Sequence, residues 1–598
     1  MKTLLLALLW ATTGSAFVYQ LSASAPASAG APLLDAFVSY SIEFASFPDF
    51  SGNKSAPNTF SDTLLSNLGH LAGTKPYIRV GGNTQDYALY NASLPWAVNG
   101  TFNLSRSADY PTTVYIGPSF FEGYSTLPGT RFSHGFNLAL ATTPEGWQTL
   151  LDTVPLLCDA LGPDINDNST PKSGNSSTTH RGKPHTHRRL YTWEYGNEPD
   201  LLSSSSQGPT RPVSWNESTY VAQWLKGTRQ IRQLIEKHCP ELIREEHHRE
   251  NAPVPSSSVP TDYAGFMAPS FAGTNNHLKA LATWKAGLDA DGSVALFSSH
   301  NYISGATSPG VTLQGTLMNH SNTVRSVNAH IAEYESTFGT RESNTSSPHP
   351  RLILGEANSL YNEGKPGLSN TFGAALWGID FMLYSAAVGI GRVHMHQGTN
   401  YRYASWQPVE TGIATRGTKP PFYGNIAVAA ALGNTGRHNV SVAALSPSSS
   451  GVDSVYAIYV DSCLSRVLVL NLRGYNTTVG GTGLGQTEPA SISPRPSQNY
   501  TFSVPTSIVG SNDTTIVSRP SGTYGRANSS SGVLVQRLLA NGSDAITGIT
   551  WDGWSYNLEL SGGKPVRLTN LTTGEFLAAQ NGQVTVNVPD SSVALLHF

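Results

Sequence analysis

Two apolar stretches each run into a glutamate. The first is Tyr191-Thr-Trp-Glu-Tyr-Gly-Asn-Glu-Pro-Asp200, an aromatic strand leading into Gly196-Asn197-Glu198-Pro199. Pro199 has no N–H to continue a ladder, so the strand ends there and Glu198 projects from its end. The second is Arg351-Leu-Ile-Leu-Gly-Glu-Ala-Asn-Ser-Leu-Tyr361, in which Leu352–Leu354 reads as a buried parallel strand ended by Gly355-Glu356. The plain alternative for each is an ordinary strand-to-loop glutamate in water. Paired, two such carboxylates suit double displacement at an anomeric carbon, with one acting as acid and then base and the other as nucleophile. That chemistry needs them about 5–5.5 Å apart. The acid must have a raised pKa, which a partly apolar pocket and the second charge supply; the nucleophile must stay ionised among hydrogen-bond donors. No metal or organic cofactor is required.

Positioning these residues takes a scaffold of parallel strands. Strand-like runs occur at Phe37–Phe44, Pro76–Gly81, Phe136–Ala141, Leu190–Tyr195, Ala264–Ala268, Val294–His300, Arg351–Gly355 and Gly391–His396. Between them lie stretches of helical period, Ser218–His238, Asn328–Phe338 and Thr371–Val388 among them. Eight strands alternating with helices predict an α/β fold, a (β/α)8 TIM barrel, in which chemistry gathers at the C-terminal strand ends. Glu198 then ends the fourth strand and Glu356 the seventh. A doubly wound open sheet is the rival, weakened by the lack of G-x-G-x-x-G after the first strand. Gly162–Arg188 and Asn251–Pro260 have loop composition and read as insertions. After about Gly433, short alternating runs such as Val455–Val460, Arg466–Leu472, Gly532–Leu538, Gln583–Val588 and Val593–Phe598 predict an antiparallel β-sandwich. The expected division is a leader at 1–16, a barrel over 17–435 and a sandwich over 436–598, with the residues after the leader as a candidate sandwich strand.

Composition narrows the class. The 598 residues are 13 % charged with a net charge of −3, which excludes charge-driven disorder and a strongly basic nucleic-acid binder. Lys2, the apolar run Leu4–Trp10 and Thr13–Ala16 have the layout of a secretory signal peptide. No later stretch reaches ~18 uninterrupted apolar residues, so no membrane span is expected. Sequons recur from Asn53 to Asn570, which fits a secreted chain carrying N-linked glycans. Of Cys158, Cys239 and Cys463, the first two fall in helix-like stretches of the barrel and are the candidate bridge; three separate thiols is the alternative.

The motifs SIEF, RVGGNTQD, WEYGNEPD, SSHNY and ILGEANSLY stand in order at successive strand ends. Together they resemble glycoside hydrolase family 79 of clan A, which includes fungal β-glucuronidases and the heparanases. The resemblance spans Phe37 to Trp406, and the C-terminal sandwich also suits that family. It implies Glu198 as acid/base and Glu356 as nucleophile. It further implies Asn197 as donor to the sugar 2-hydroxyl, Tyr302 as the tyrosine steadying the nucleophile, Glu43 as a sugar-hydroxyl contact and Tyr361 as a neighbour of the glucuronate carboxylate. In Gly398–Tyr403, either Tyr401 or Tyr403 matches a further carboxylate contact. An arginine at Arg79 could pair with a substrate carboxylate or with the nucleophile; the resemblance favours the second, and implies Arg79 and His300 as supports behind the contacting residues, with Asp86 and Gln85 as weaker candidates. The 37 Lys+Arg against 40 Asp+Glu depart from the basic cleft a sulfated polymer would favour, and the visible basic cluster, His185–Arg189, lies in an insertion. The implied substrate is terminal glucuronic acid, or its 4-O-methyl form, on material such as arabinogalactan. Alternatives are a heparanase-like endo-hydrolase, an arabinofuranosidase or xylosidase, a catalytically dead carbohydrate-binding protein, and a metalloenzyme using His247, His248, His394 and His396.

Overall fold

The computed structural model describes residues 18–598 apart from 106–109, 163–188, 206–207, 243–264, 341–348, 447–449, 482–492, 506–507, 509–514, 518–524, 528–531 and 572. The leader, both insertions, His247, His248, most of His185–Arg189 and the sequons at Asn168, Asn175, Asn344, Asn512 and Asn528 lie outside the described residues.

Eight strands close into a parallel barrel: β1 Val38–Glu43, β2 Ile78–Gly81, β3 Phe132–Phe136, β4 Leu190–Tyr195, β5 Phe266–Phe271, β6 Val294–Gly305, β7 Arg351–Tyr361 and β8 Val393–Gln397. Each pairs with its chain neighbour, and β8 closes on β1 through Val393↔Val38 to Gln397↔Ile42. Seven strands begin within a few residues of where the sequence places them, but β6 and β7 run past their expected ends at His300 and Gly355, to Gly305 and Tyr361, so Glu356 lies within β7 and does not end it. The third strand does not: Phe136–Ala141 is the end of β3 and the loop beyond it. The true strand, Phe-Ser-His-Gly-Phe, hides because three of its five residues are not hydrophobic; all five are buried. Leu138 and Ala139, apolar enough to suggest a strand, are instead buried in the loop, where Asp86 accepts their N–H groups.

Helices α1 Thr59–Ala72, α2 Pro144–Leu161, α3 Glu217–His238, α4 Ala280–Lys285, α5 His320–Phe338, α6 Phe372–Ala387 and α7 Pro420–Leu432 surround the barrel. Their starts carry their own signals. Thr143 accepts from Gly146 N–H ahead of a Pro at the first helical position of α2, and Asn216 and Thr219 cap α3 reciprocally. After β2 a helix is replaced by a small sheet (Ala88–Tyr90, Val98–Thr101, Thr113–Ile116) and a 3-10 helix, Pro118–Ser125. Cys158 on α2 is bridged to Cys239 just past α3, and Cys463 is free and exposed.

α6 and α7 are buried at every position. A helix without a polar face needs cover on all sides, and here the barrel lies on one side and the C-terminal sheet on the other. That sheet is built from β9 Val440–Ala444, β10 Asp453–Val460, β11 Cys463–Asn471, Ser592–His597 and Gly532–Leu539, with short strands extending it. A second sheet of Val18–Gln20, Ser497–Ser503 and Gln583–Pro589 faces it. Val455, Ala457, Val467, Val469 and Leu596 from the first meet Phe502, Val584, Val586 and Val588 from the second in one core. The result is the sandwich expected from the alternating runs, antiparallel apart from Val18–Gln20, which runs parallel to Ser497–Ser503. Among the described residues no helix is long and apolar enough to cross a membrane.

Candidate active site

The strand ends converge on Glu356. Its Oε2 accepts from Arg79 Nη1 at 2.6 Å and its Oε1 from the Tyr302 hydroxyl at 2.7 Å. Arg79 lies wholly inside the barrel; its Nε and Nη2 grip Glu194 Oε2 at 2.8 and 2.7 Å, Nη1 also reaches Ser41 Oγ at 2.9 Å, and Nη2 donates to Asn197 Oδ1 at 2.7 Å. A planar guanidinium can hold four partners at fixed angles, which a flexible ammonium cannot. Strand alternation explains the SSHNY motif. His300 and Tyr302 turn inward to the carboxylates, while Ser299 and Asn301 turn outward to His330 on α5, at 2.8 and 2.7 Å. Gly355 lets β7 pass β6 closely: a Cβ there would sit 2.2 Å from Ser298 Oγ.

Glu198 approaches from the β4 end. A carboxylate oxygen of Glu198, a carboxylate oxygen of Glu356 and a ring nitrogen of His300 all lie within 4.8 Å of one another. His300 Nδ1 is 3.0 Å from Glu198 Oε1 and 3.9 Å from Glu356 Oε2. Its Nε2 has no partner among the described residues; a bare lone pair is tolerated there better than a buried, unpaired N–H. Burial pushes the imidazole down to about 4, so His300 is neutral at physiological pH and presents its Nδ1–H to Glu198.

The two carboxyls are driven in opposite directions. Burial and the charge of Glu356 raise Glu198 well above the usual carboxylate range. Burial also acts to raise Glu356, but His396, His300, Arg79 and the Tyr302 hydroxyl outweigh it and hold that group far below the usual range. A protonated acid beside an ionised nucleophile is the pairing a glycoside-cleaving site needs.

The remaining expected residues divide. Asn197 is brought in: its backbone N–H donates to Asp86 Oδ2 at 2.8 Å and its Nδ2 to Asn83 Oδ1 at 3.2 Å. Glu43 is brought in, with Oε1 accepting from Thr84 N and Oγ1 at 2.9 and 2.6 Å and Oε2 accepting from the Tyr401 hydroxyl at 3.2 Å. Tyr401 and Tyr403 are both buried and meet edge-on at 5.6 Å, and the Tyr403 ring lies 6.1 Å from that of Tyr302. Gln85 is packed between Gly81 and Gly135 and accepts from Gly82 N–H. Tyr361 is set apart. It is 47 % exposed and its ring covers Gly305. It follows Glu356 by five positions along one extended strand, and an odd interval puts it on the other face.

Three participants were not read from the sequence. Glu194 and Ser41 sit inside quoted motifs, and a buried charge in mid-strand was the available signal for Glu194. His396 was weighed only as a metal ligand. In the structure its Nδ1 meets Ser41 Oγ at 2.8 Å and lies 3.7 Å from Glu356, and its Nε2 is 3.5 Å from Glu43. Burial lowers its pKa, but Glu356 and Glu43 more than reverse this. His394 goes elsewhere, to the Leu354 carbonyl at 3.2 Å, so the two histidines share no centre. Among the described residues the cluster with metal-ligand spacing is the same Glu198–His300–Glu356 trio, and Arg79 already neutralises Glu356 there.

An eight-stranded barrel with such a carboxylate pair toward its C-terminal face has the arrangement of a glycoside hydrolase. The comparisons with known proteins resolve the class further. Residues 455–595 match the glycosyl hydrolase family 79 C-terminal beta domain. A beta-glucuronidase of Neurospora crassa is 53 % identical over 586 residues, covering 95 % of this chain and 94 % of that protein. A beta-glucuronidase of Aspergillus niger is 47 % identical over 576 residues, covering 96 % and 93 %. The chain belongs to glycoside hydrolase family 79. Among solved structures, a 4-O-alpha-L-rhamnosyl-beta-D-glucuronidase from Fusarium oxysporum shares the fold with a TM-score of 0.66 at 24 % identity, covering 97 % of this chain and 100 % of that one. A family 51 alpha-L-arabinofuranosidase from Bifidobacterium longum does so at 0.53 and 14 %, covering 98 % and 100 %.

Proposed function

We propose that this chain is a secreted, retaining β-glucuronidase that removes terminal glucuronic acid, or its 4-O-methyl form, from oligosaccharides, polysaccharides or glycoproteins such as arabinogalactan. The observation that carries the retaining step is the placement of Glu198 and Glu356 with carboxylate oxygens within 4.8 Å. Inverting enzymes hold their carboxyls about 6.5–9.5 Å apart to admit a water; retaining ones bring them to about 5–5.5 Å. In the first step Glu356 attacks the anomeric carbon, the glycosidic bond breaks, and Glu198 gives its proton to the leaving oxygen. In the second, ionised Glu198 takes a proton from water, whose oxygen displaces Glu356 and restores both groups. Asn197 and Glu43 engage sugar hydroxyls in this reading, and Tyr302 and Arg79 keep Glu356 ionised and aligned. The two relatives at 53 % and 47 % identity support the glucuronide specificity. Tyr401 and Tyr403 belong to the same proposal as contacts for the sugar carboxylate.

Secretion, N-glycosylation and a domain division between residues 435 and 436 complete this reading. Asn91, Asn99 and Asn541 are exposed sequon residues. The test is p-nitrophenyl β-D-glucuronide against a panel of neutral nitrophenyl glycosides, with the anomer of the first product followed by NMR. Hydrolysis of the glucuronide with a β-anomer formed first is expected. An α-anomer formed first, or turnover of neutral glycosides alone, contradicts the proposal.

A further inference from the structure

Asp200, two residues beyond Glu198, has no place in the chemistry above, yet it is completely buried. Both its oxygens accept from Ala272 N–H, at 3.0 and 3.2 Å, and Oδ2 also accepts from Asn276 Nδ2 at 2.8 Å. Glu198 is tied to the same segment from its other side: its N–H donates to the Ser270 carbonyl at 3.1 Å. The turn between the two ties is closed by Leu201 N–H on the Glu198 carbonyl at 2.9 Å and held from outside by Trp215 Nε1 on the Pro199 carbonyl at 2.9 Å.

These ties matter because Glu198 has φ 48° and ψ 52°, a left-handed conformation that a glutamate leaves readily unless its surroundings enforce it. Ser270, at φ 54°, links the clamp to the other carboxylate. Its hydroxyl donates to Glu194 at 2.6 Å, and Glu194 shares Arg79 with Glu356.

We propose that Asp200 is a positioning residue that, by clamping residues 199–201 to the end of β5, holds Glu198 in its left-handed conformation and so aims its carboxyl at the leaving-group oxygen. This rests on the acid/base reading of Glu198. Proton donation is needed most by poor leaving groups, so misaiming Glu198 penalises substrates selectively. A loosened scaffold unconnected with Glu198 penalises all substrates alike.

The experiment compares kcat/KM for a methyl and a p-nitrophenyl β-glucuronide in the wild type, Asp200→Ala, Asp200→Asn and Glu198→Ala. Asp200→Ala is expected to lose about 100-fold on the methyl glucuronide and at least tenfold less on the nitrophenyl one. Asp200→Asn, which keeps an acceptor for Ala272 N–H, is expected to recover part of that difference. If Asp200→Ala does not fold, Asn276→Ala, which removes Asp200's other support, is expected to show a smaller split of the same sign. Equal losses on both substrates, or no loss, overturn the role of Asp200 provided Glu198→Ala is itself selective. A Glu198→Ala variant that is not selective overturns the acid/base reading on which the role depends.

Discussion

Arg79 and Glu356 meet at 2.6 Å inside the barrel, and the opposite edge of the same guanidinium is held by Glu194. One cation thus faces two buried carboxylates, and its orientation toward Glu356 is fixed from behind. A lysine here cannot reach Glu356, Glu194 and Asn197 together. Arg79→Lys is therefore expected to cut kcat about 100- to 1,000-fold, the range for loss of an aligned donor. Arg79 is also one of the groups that depress the Glu356 pKa; a lysine keeps the charge but gives up the fixed 2.6 Å contact, so that pKa rises by what the contact supplied. The acid limb of kcat/KM should then move to higher pH. An acid limb that stays in place while activity falls would show that Arg79 supports the fold and not the charge of Glu356.

The Tyr302 hydroxyl donates to the other oxygen of Glu356 at 2.7 Å. A hydrogen bond to a charged group contributes about 1.5–3 kcal/mol, which corresponds to roughly 10- to 150-fold in rate if it is needed in the transition state. Tyr302→Phe should fall in that range and move the acid limb upward, as Arg79→Lys does. The Tyr401 hydroxyl donates to Glu43, not to Glu356, at the longer distance of 3.2 Å, so Tyr401→Phe should leave the acid limb where it is. Steady-state pH profiles of the two variants decide the matter.

Glu198 carries a stability consequence opposite to its usefulness. Burial beside Glu356 raises its folded-state pKa above the unfolded value of about 4.3. A carboxyl raised in this way favours the folded state fully at low pH. Its contribution declines as pH climbs from the unfolded pKa through the folded one, then levels off. Glu198→Gln cannot ionise and escapes this decline. The variant should be inactive on alkyl glucuronides yet melt at a higher temperature than the wild type above about pH 5, with a gap that widens through neutrality. Melting curves that coincide across that range would mean Glu198 ionises without penalty.

What the sequence disclosed followed from physics that acts locally. Glu198 and Glu356 were legible because one follows an aromatic strand closed by Gly196 and Pro199 and the other follows the apolar run Leu352–Leu354 with Gly355 beside it. Strand β3 was not, since Ser133, His134 and Gly135 face partners that only the closed barrel supplies, such as the Tyr124 hydroxyl on His134 and the Gln85 side chain on Gly135. The first turns of α5 were missed for a similar reason. His320 is buried there against a charge on α6, so the helix shows less hydrophobic period than it has buried face. Tyr361 shows the converse hazard. Its place near the site was implied by motif alone, and the parity of an eleven-residue strand turns it outward.

The same His320 gives a prediction about the joint between barrel and sandwich. Its Nδ1 lies 2.9 Å from Asp380 Oδ1 on α6, and the Tyr456 hydroxyl of β10 donates to that oxygen at 2.7 Å, so one buried carboxylate joins two barrel helices to the sandwich. Burial lowers the His320 pKa, but Asp380 reverses this and leaves it raised. Burial raises Asp380, but His320, Ser454 and Tyr456 leave it lowered. The histidine's contribution to stability is fully present below its unfolded pKa of about 6.5 and is lost as pH rises through the higher folded value. The aspartate's is present above about 3.9 and is lost as pH falls through the lower folded value. The pair is therefore strongest between about pH 4 and 6.5. Breaking a buried pair by removing one partner costs about 3–5 kcal/mol. His320→Asn should approach that loss at pH 5 and lose less at pH 9, where the wild-type histidine is closer to neutral, with activity per folded molecule unchanged throughout. Denaturant unfolding at the two pH values measures both. A destabilisation of equal size at pH 5 and pH 9 would mean that His320 acts only by filling space and not by its charge.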